Sequence, residues 1–221
     1  MAPYLKQVGA GARILDAGCG LGEWTVFLSG QGYDVFAVDV ARRTLAQLRA
    51  HFPTHRFLCA DIRRLCFPDR FFEVCFSWGA FEHFEEGLGG CITEAWRVVR
   101  PGGYLFLSVP FHNWRLILRD ARSRRRRDGT ADPESDHTTP MRFYQWRLTI
   151  PEIEQELAMR GFRPLRVRPI SVHEGVSRTL THDVHLSPGS LIHKAATRLL
   201  APVLPRRWFA HMIMAVAERR A

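Results

Sequence analysis

Residues 14–22 read Ile-Leu-Asp-Ala-Gly-Cys-Gly-Leu-Gly, and no other stretch restricts the fold of this chain as strongly. An apolar, strand-like run ends at an acid. Glycines then stand at alternate positions, Gly18, Gly20 and Gly22, before Glu23, Trp24 and an apolar helix-like run. A buried strand that turns this sharply into a helix needs left-handed backbone angles, and a turn without Cβ atoms lets a ligand reach the backbone. The run predicts a strand–turn–helix unit with a binding edge at the end of the strand.

The same alternation continues downstream. Strands are expected at 13–17, 34–39, 56–59, 72–77 and 104–109, and helices at 23–30, 41–51 and 86–100, the last stopped by Pro101-Gly102-Gly103. Strand and helix in turn argue for a doubly wound α/β fold, a parallel sheet with helices on both faces. The order then changes. Residues 110–148 are polar and aromatic, with an arginine run. Thr149-Ile150-Pro151-Glu152 is a capping box that opens a helix ending at Gly161. A sixth strand is expected at 165–172, an irregular and helical excursion at 175–207, and a seventh strand at 208–217. At 221 residues this is one domain, 1–221, with a core over 1–110 and insertions at 111–148 and 175–207.

Composition, at 46% hydrophobic and 24% charged, is that of a globular protein. The sequence shows no charged-then-apolar leader and no apolar run near membrane-spanning length. Five cysteines (Cys19, Cys59, Cys66, Cys75, Cys91) have neither C-x-x-C nor metal-ligand spacing, which predicts buried thiols in a reducing, cytoplasmic setting and no metal. The net charge of +9 is unevenly placed. Residues 1–110 carry 11 basic and 11 acidic side chains, whereas 111–221 carry 20 and 11. Arg119, Arg122, Arg124, Arg125, Arg126 and Arg127 supply much of the excess.

Asp16, Gly18, Gly20 and Gly22 fill the first motif of the class I S-adenosylmethionine (SAM) methyltransferases, and the chain resembles the small-molecule, type 11-like group of that family. The resemblance covers 12–110 well and 143–172 loosely. It implies a Rossmann-like seven-stranded sheet with the last strand antiparallel, and SAM as cofactor. Cys19 belongs to the same glycine loop. Asp39, followed by Val40, matches the acid on the ribose hydroxyls; Asp61 matches the acceptor of the adenine amino group, with Ile62 against the ring. Ser77, Trp78 and the run through Phe84 (Ser-Trp-Gly-Ala-Phe-Glu-His-Phe) match the end of the fourth strand, which lines the methionine and methyl side; Trp24 reads as packing rather than as a substrate platform. Each acid also has a structural reading: Asp39 and Asp61 as helix-start caps, Glu82 and His83 as the closing of a helix start. The dinucleotide fingerprint Gly-x-Gly-x-x-Gly fits less well, because Glu23 stands where it needs Gly or Ala, and an acid there opposes a pyrophosphate.

Methyl transfer from a sulfonium chiefly needs placement and exclusion of water. A hydroxyl nucleophile gains from a base near neutral pH, for which His83 comes first, His112 second and His137 third. Phe111, Trp114, Phe143, Tyr144 and Trp146, with the surrounding arginines, suggest an acceptor pocket for a small organic molecule that is part apolar and part anionic, lipid-like or sugar-like, methylated on oxygen or carbon. Ser77-Trp78-Gly79-Ala80 stands where DNA amino-methylases carry an Asn or Asp followed by Pro-Pro. Two rival readings are an RNA methyltransferase or RNA-binding protein working through the arginine run, and a non-catalytic SAM-binding partner subunit. Only about 12 residues precede the first motif, fewer than the family usually has, so either the lid is expected from the C-terminal segments or from a second copy in a homodimer, or the start has been lost. Residues 191–204, followed by Arg206, Arg207 and Trp208, suit either a packed lid helix or an anionic membrane surface.

Overall fold

A computed structural model of the chain describes residues 2–123 and 143–220. A seven-stranded sheet forms its centre, in the order β3-β2-β1-β4-β5-β7-β6. The strands are β1 (Arg13–Ala17), β2 (Asp34–Asp39), β3 (Arg56–Cys59), β4 (Phe72–Trp78), β5 (Val99–Pro110), β6 (Phe162–Ile170) and β7 (Met212–Arg219). Strands β1 to β5 pair in parallel, while β7 runs antiparallel between β5 and β6. The helices are α1 (Ala2–Val8), α2 (Glu23–Gly30), α3 (Arg42–His51), α4 (Gly89–Val98), α5 (Trp114–Ser123), α6 (Ile150–Met159), α7 (Val172–His182), α8 (Leu191–Leu200) and α9 (Arg206–Phe209). A 3₁₀ turn spans Phe81–His83.

The strands are apolar on both faces because both are covered. Alternate residues of one strand go to opposite layers. Leu15, Cys75, Leu105, Ala215 and Ala217 face Ile92, Ala95, Ile153 and Leu157 of α4 and α6. Ile14, Val74, Phe76, Phe106, Met214 and Val216 face the other way, onto Leu28 of α2 and Tyr4, Leu5 and Val8 of α1. Leu45 and Leu48 of α3 close a third, smaller cluster with Ala37 and Phe57.

Several boundaries depart from the sequence expectations. Helix α4 spans Gly89–Val98 rather than 86–100. Val99 already has extended backbone angles, so β5 begins five residues before the expected Tyr104, with an irregular register where Pro101-Gly102-Gly103 passes. Strand β6 comes earlier than expected, and α7 starts at Val172 instead of an irregular segment at 175. The expected strand at 208–217 is a helical turn followed by β7, because Pro205 sits where its fixed φ starts a helix. Helix α1 carried no sequence signal strong enough to be expected. Cys75 and Cys91 are buried, but Cys59 and Cys66 are exposed, contrary to the expectation of buried thiols; all five are free. His137 and Arg124–Arg127 lie outside the described residues.

Candidate functional site

In this strand order the chain leaves β1 toward β2 on one side and reaches β4 on the other, so a crevice opens at the carboxyl ends of β1 and β4. A cleft of 610 Å³ lies there. Asp16, Gly18, Cys19, Gly20, Asp39, Val40, Ile62, Trp78 and His83, all singled out from the sequence, line it together with Leu21, Glu23, Trp24, Gly79, Ala80 and Phe84. Gly22, Asp61, Ser77 and His112 are not among the lining residues.

The glycine turn is held from both sides. Gly18 has φ +84°, and a Cβ there would lie 2.3 Å from the Cβ of Ala80, so the close passage of the two loops excludes any side chain. The amides of Gly18 and Cys19 both donate to the carbonyl of Val38. Gly22, at φ +73°, is the residue before α2, and Phe57 and Leu48 crowd it; its part is to turn the chain.

Three carboxylates face the cleft, Asp16, Glu23 and Asp39, and among the described residues no Lys or Arg lines it. On a chain of net charge +9 this is a local reversal of sign that suits a cationic ligand. Asp39 accepts from the Gly20 amide at 2.9 Å and from the Ala41 amide at 2.8 Å, which fixes its carboxylate across the turn and leaves lone pairs for a ligand. Asp16 accepts the Thr25 hydroxyl at 2.6 Å. Burial, and the charge of Asp39 after it, push the Asp16 carboxyl up to about 6 despite that hydrogen bond. The same burial, next to Asp16 and Asp39, pushes the Cys19 thiol up to about 12, so it stays neutral and is no nucleophile.

Asp61 stands at the margin. Its carboxylate accepts from the Arg63 amide at 2.8 Å and from the Arg63 guanidinium at 2.7 Å, which lowers its pKa. Ser77 is fully buried with no partner for its hydroxyl among the described residues. Glu82 is an unexpected feature behind the cleft. It is 2% exposed, one carboxylate oxygen has no hydrogen-bond partner among the described residues, and desolvation pushes it up to about 7.

His83 is exposed at the cleft mouth, and its Nδ1 lies 3.0 Å from the Tyr144 carbonyl. A carbonyl only accepts, so Nδ1 carries the proton and the neutral ring keeps its lone pair on Nε2. Tyr144 also meets the imidazole edge-on. The Trp146 amide donates to the Glu82 carbonyl at 2.9 Å and its indole N–H to the Phe84 carbonyl at 2.8 Å. Three hydrogen bonds thus clasp the strap 144–146 onto the 3₁₀ turn, with Phe143 against Trp146. The other aromatics lie elsewhere. Phe111 is buried and bridges Leu148, and Trp114 packs on Trp208. His112 is buried with Nε2 3.0 Å from Asp120, away from the cleft lining.

Sequence reasoning singled out neither Thr25 nor Leu21, whereas Gly79, Ala80 and Phe84 fall in the run 77–84 that the resemblance put on the methyl side, and Trp24 was read as packing rather than as a substrate platform. Trp24 does pack, against Phe76 and Trp78, while also lining the cleft. Thr25 had a usable signal: a hydroxyl in the first turn after a strand-end acid comes back beside that acid.

A methyltransferase domain family matches residues 14–103. The malonyl-acyl-carrier-protein O-methyltransferase of Yersinia pestis is 35% identical over 105 residues, covering 48% of this chain and 39% of that protein. Its counterpart in Enterobacter lignolyticus is 28% identical over 181 residues, 78% of this chain and 71% of that one. The chain spans less than half the length of the first curated relatives it matches. Among solved structures, a SAM-dependent methyltransferase from Methanosarcina mazei shares the fold with a TM-score of 0.68 at 18% identity, over 100% of this chain and 98% of that chain.

Proposed function

We infer that this chain, which belongs to the class I SAM-dependent methyltransferases through its domain at residues 14–103, binds SAM in the cleft and methylates oxygen or carbon of a small organic acceptor. The observation that carries this reading is the acid-lined crevice at the β1–β4 switch of a strongly basic chain. Asp39 offers a fixed carboxylate to a diol, which it can accept from twice. Asp16 and Glu23 offer negative charge to the cationic end of the cofactor. Gly18 and Gly20 offer backbone without Cβ, and Ile62 an apolar wall for the adenine. When bound, SAM supplies an electrophilic methyl on a sulfonium that departs as a neutral thioether. The protein's remaining work is to hold the acceptor in line and keep water out.

His83 suits the acceptor side. Its Nε2 lone pair, fixed by the Nδ1–H bond to Tyr144, takes the proton from an acceptor hydroxyl as the new O–C bond forms; a carboxylate acceptor needs only orientation. The strap 144–146 and the basic second half favour an acceptor with an apolar body and an anionic group. The Yersinia pestis relative is named for methylating an oxygen of a malonyl group, and an acyl carboxylate is one acceptor of this kind. The likeness to it covers 48% of this chain, so the acceptor is proposed from this chain's own residues.

A screen of hydroxylated and carboxylated acceptors, read by release of the demethylated cofactor, tests the activity. With a hydroxyl acceptor from that screen, His83→Ala should lower kcat by about 10²–10⁴-fold, leaving SAM affinity unchanged. Turnover that is unaltered at every pH removes His83 as the base.

A further inference from the structure

We propose that the outward face of α8, with the turn leading into α9, docks on an anionic lipid bilayer. The face is unusual because the helix is packed the wrong way round for a water-exposed element. Its inward side is polar: His193 is 5% exposed and Thr197 1%. His193 Nε2 lies 3.1 Å from the Ser177 carbonyl and 3.2 Å from the Thr181 hydroxyl, and the Thr197 hydroxyl donates to the His193 carbonyl at 2.8 Å. Its outward side carries Leu191 at 85%, Ile192 at 71% and Leu199 at 73% exposure, with Val203 at 75% just beyond the helix. Helical spacing puts Leu191, Ile192, Ala195 and Leu199 in one stripe. No described residue covers it.

Charge names the occupant. Lys194 and Arg198 border the stripe, and Arg206 and Arg207 follow it; all four are exposed. Between residues 184 and 217 the sequence contains no Asp or Glu at all. Aliphatic side chains flanked by cations on long stems match the boundary between acyl chains and anionic head groups, where the stems lie along the apolar layer and the charges reach the phosphates. A protein partner's surface would more often meet aromatic and Met side chains. The face shares no residue with the cleft, whose lining falls within residues 16–84, so lipid docking and cofactor binding fail independently.

The test is flotation of the full chain with phosphatidylcholine vesicles, plain or containing about 30% phosphatidylglycerol. Two variants accompany it: Leu191→Ser/Ile192→Ser/Leu199→Ser, and Lys194→Gln/Arg198→Gln/Arg206→Gln/Arg207→Gln. Calorimetric binding of SAM checks that each is folded. The wild type should float with the anionic vesicles at low salt. Either variant, or about 0.5 M salt, should reduce the bound fraction roughly tenfold. The proposal is overturned if the wild type stays in solution at low salt, or if both variants float as it does. It is also overturned if the wild type is a dimer that the triple Ser variant turns into monomer, since the face is then an interface between copies.

Discussion

Asp16 stands where two demands conflict. It is 2% exposed, and Asp39 adds like charge, so the folded protein holds its proton up to about 6. A raised carboxylate pKa means that the native state binds more protons than the unfolded chain between about pH 4 and 6. The resulting penalty is complete above pH 6 and absent below the unfolded value; by the size of the shift it is on the order of 2–3 kcal/mol. Asp16→Asn should therefore be more stable than the wild type at pH 7 to 8, with the gap closing by about pH 4, as read by denaturant unfolding across pH. The same replacement removes a negative charge from the proposed cofactor site. Its SAM affinity at pH 7 should fall about tenfold or more, the size of one lost charge-assisted contact. Wild-type affinity should weaken as pH drops through 6, and the variant's should not. A variant that is both less stable and equally tight at pH 7 contradicts this account of the residue.

At the scale of elements, α6 shows a local signal fulfilled in place. The Glu152 carboxylate accepts the Thr149 amide at 2.7 Å, the reciprocal bond that the Thr-x-x-Glu spacing predicted, and also takes the Thr149 hydroxyl at 2.6 Å. The cap aims Ile153 and Leu157, both fully buried, onto the sheet. Thr149→Ala should cost about 1 kcal/mol, measurable as a lower melting temperature with no change in SAM affinity. All seven strands were legible, because period and chain punctuation are local properties. Their ends were less so, since Val99 and the Trp208–Phe209 pair are strand-formers whose state depends on a neighbouring proline. In the cleft the glycine loop, Asp39 and Ile62 were readable as a local motif. What the motif could not show is proximity across the fold: Ala80 limits the glycine turn only through the Cβ that Gly18 lacks, and the burial of Glu82 follows only from how the chain packs around it. Nor could the sequence say that α8 turns His193 inward and its leucines outward, as the helix period is the same either way round.

Over the whole molecule, the strand order puts the acid-lined crevice in the half of the sequence where charges balance, and leaves the basic surplus to the segments that follow β5. The proposed cofactor, which is cationic, and the proposed anionic acceptor would thus have separate complementary ground. No helix among the described residues is long and apolar enough to cross a membrane. Calorimetric titration of the purified protein with SAM, its demethylated product and NAD, repeated on Asp39→Ala, tests the central claim most directly. The account predicts micromolar binding of SAM or its product by the wild type, weakened at least about tenfold in the variant, and no binding of NAD. Binding of NAD with none of SAM, or SAM binding that Asp39→Ala leaves untouched, contradicts it.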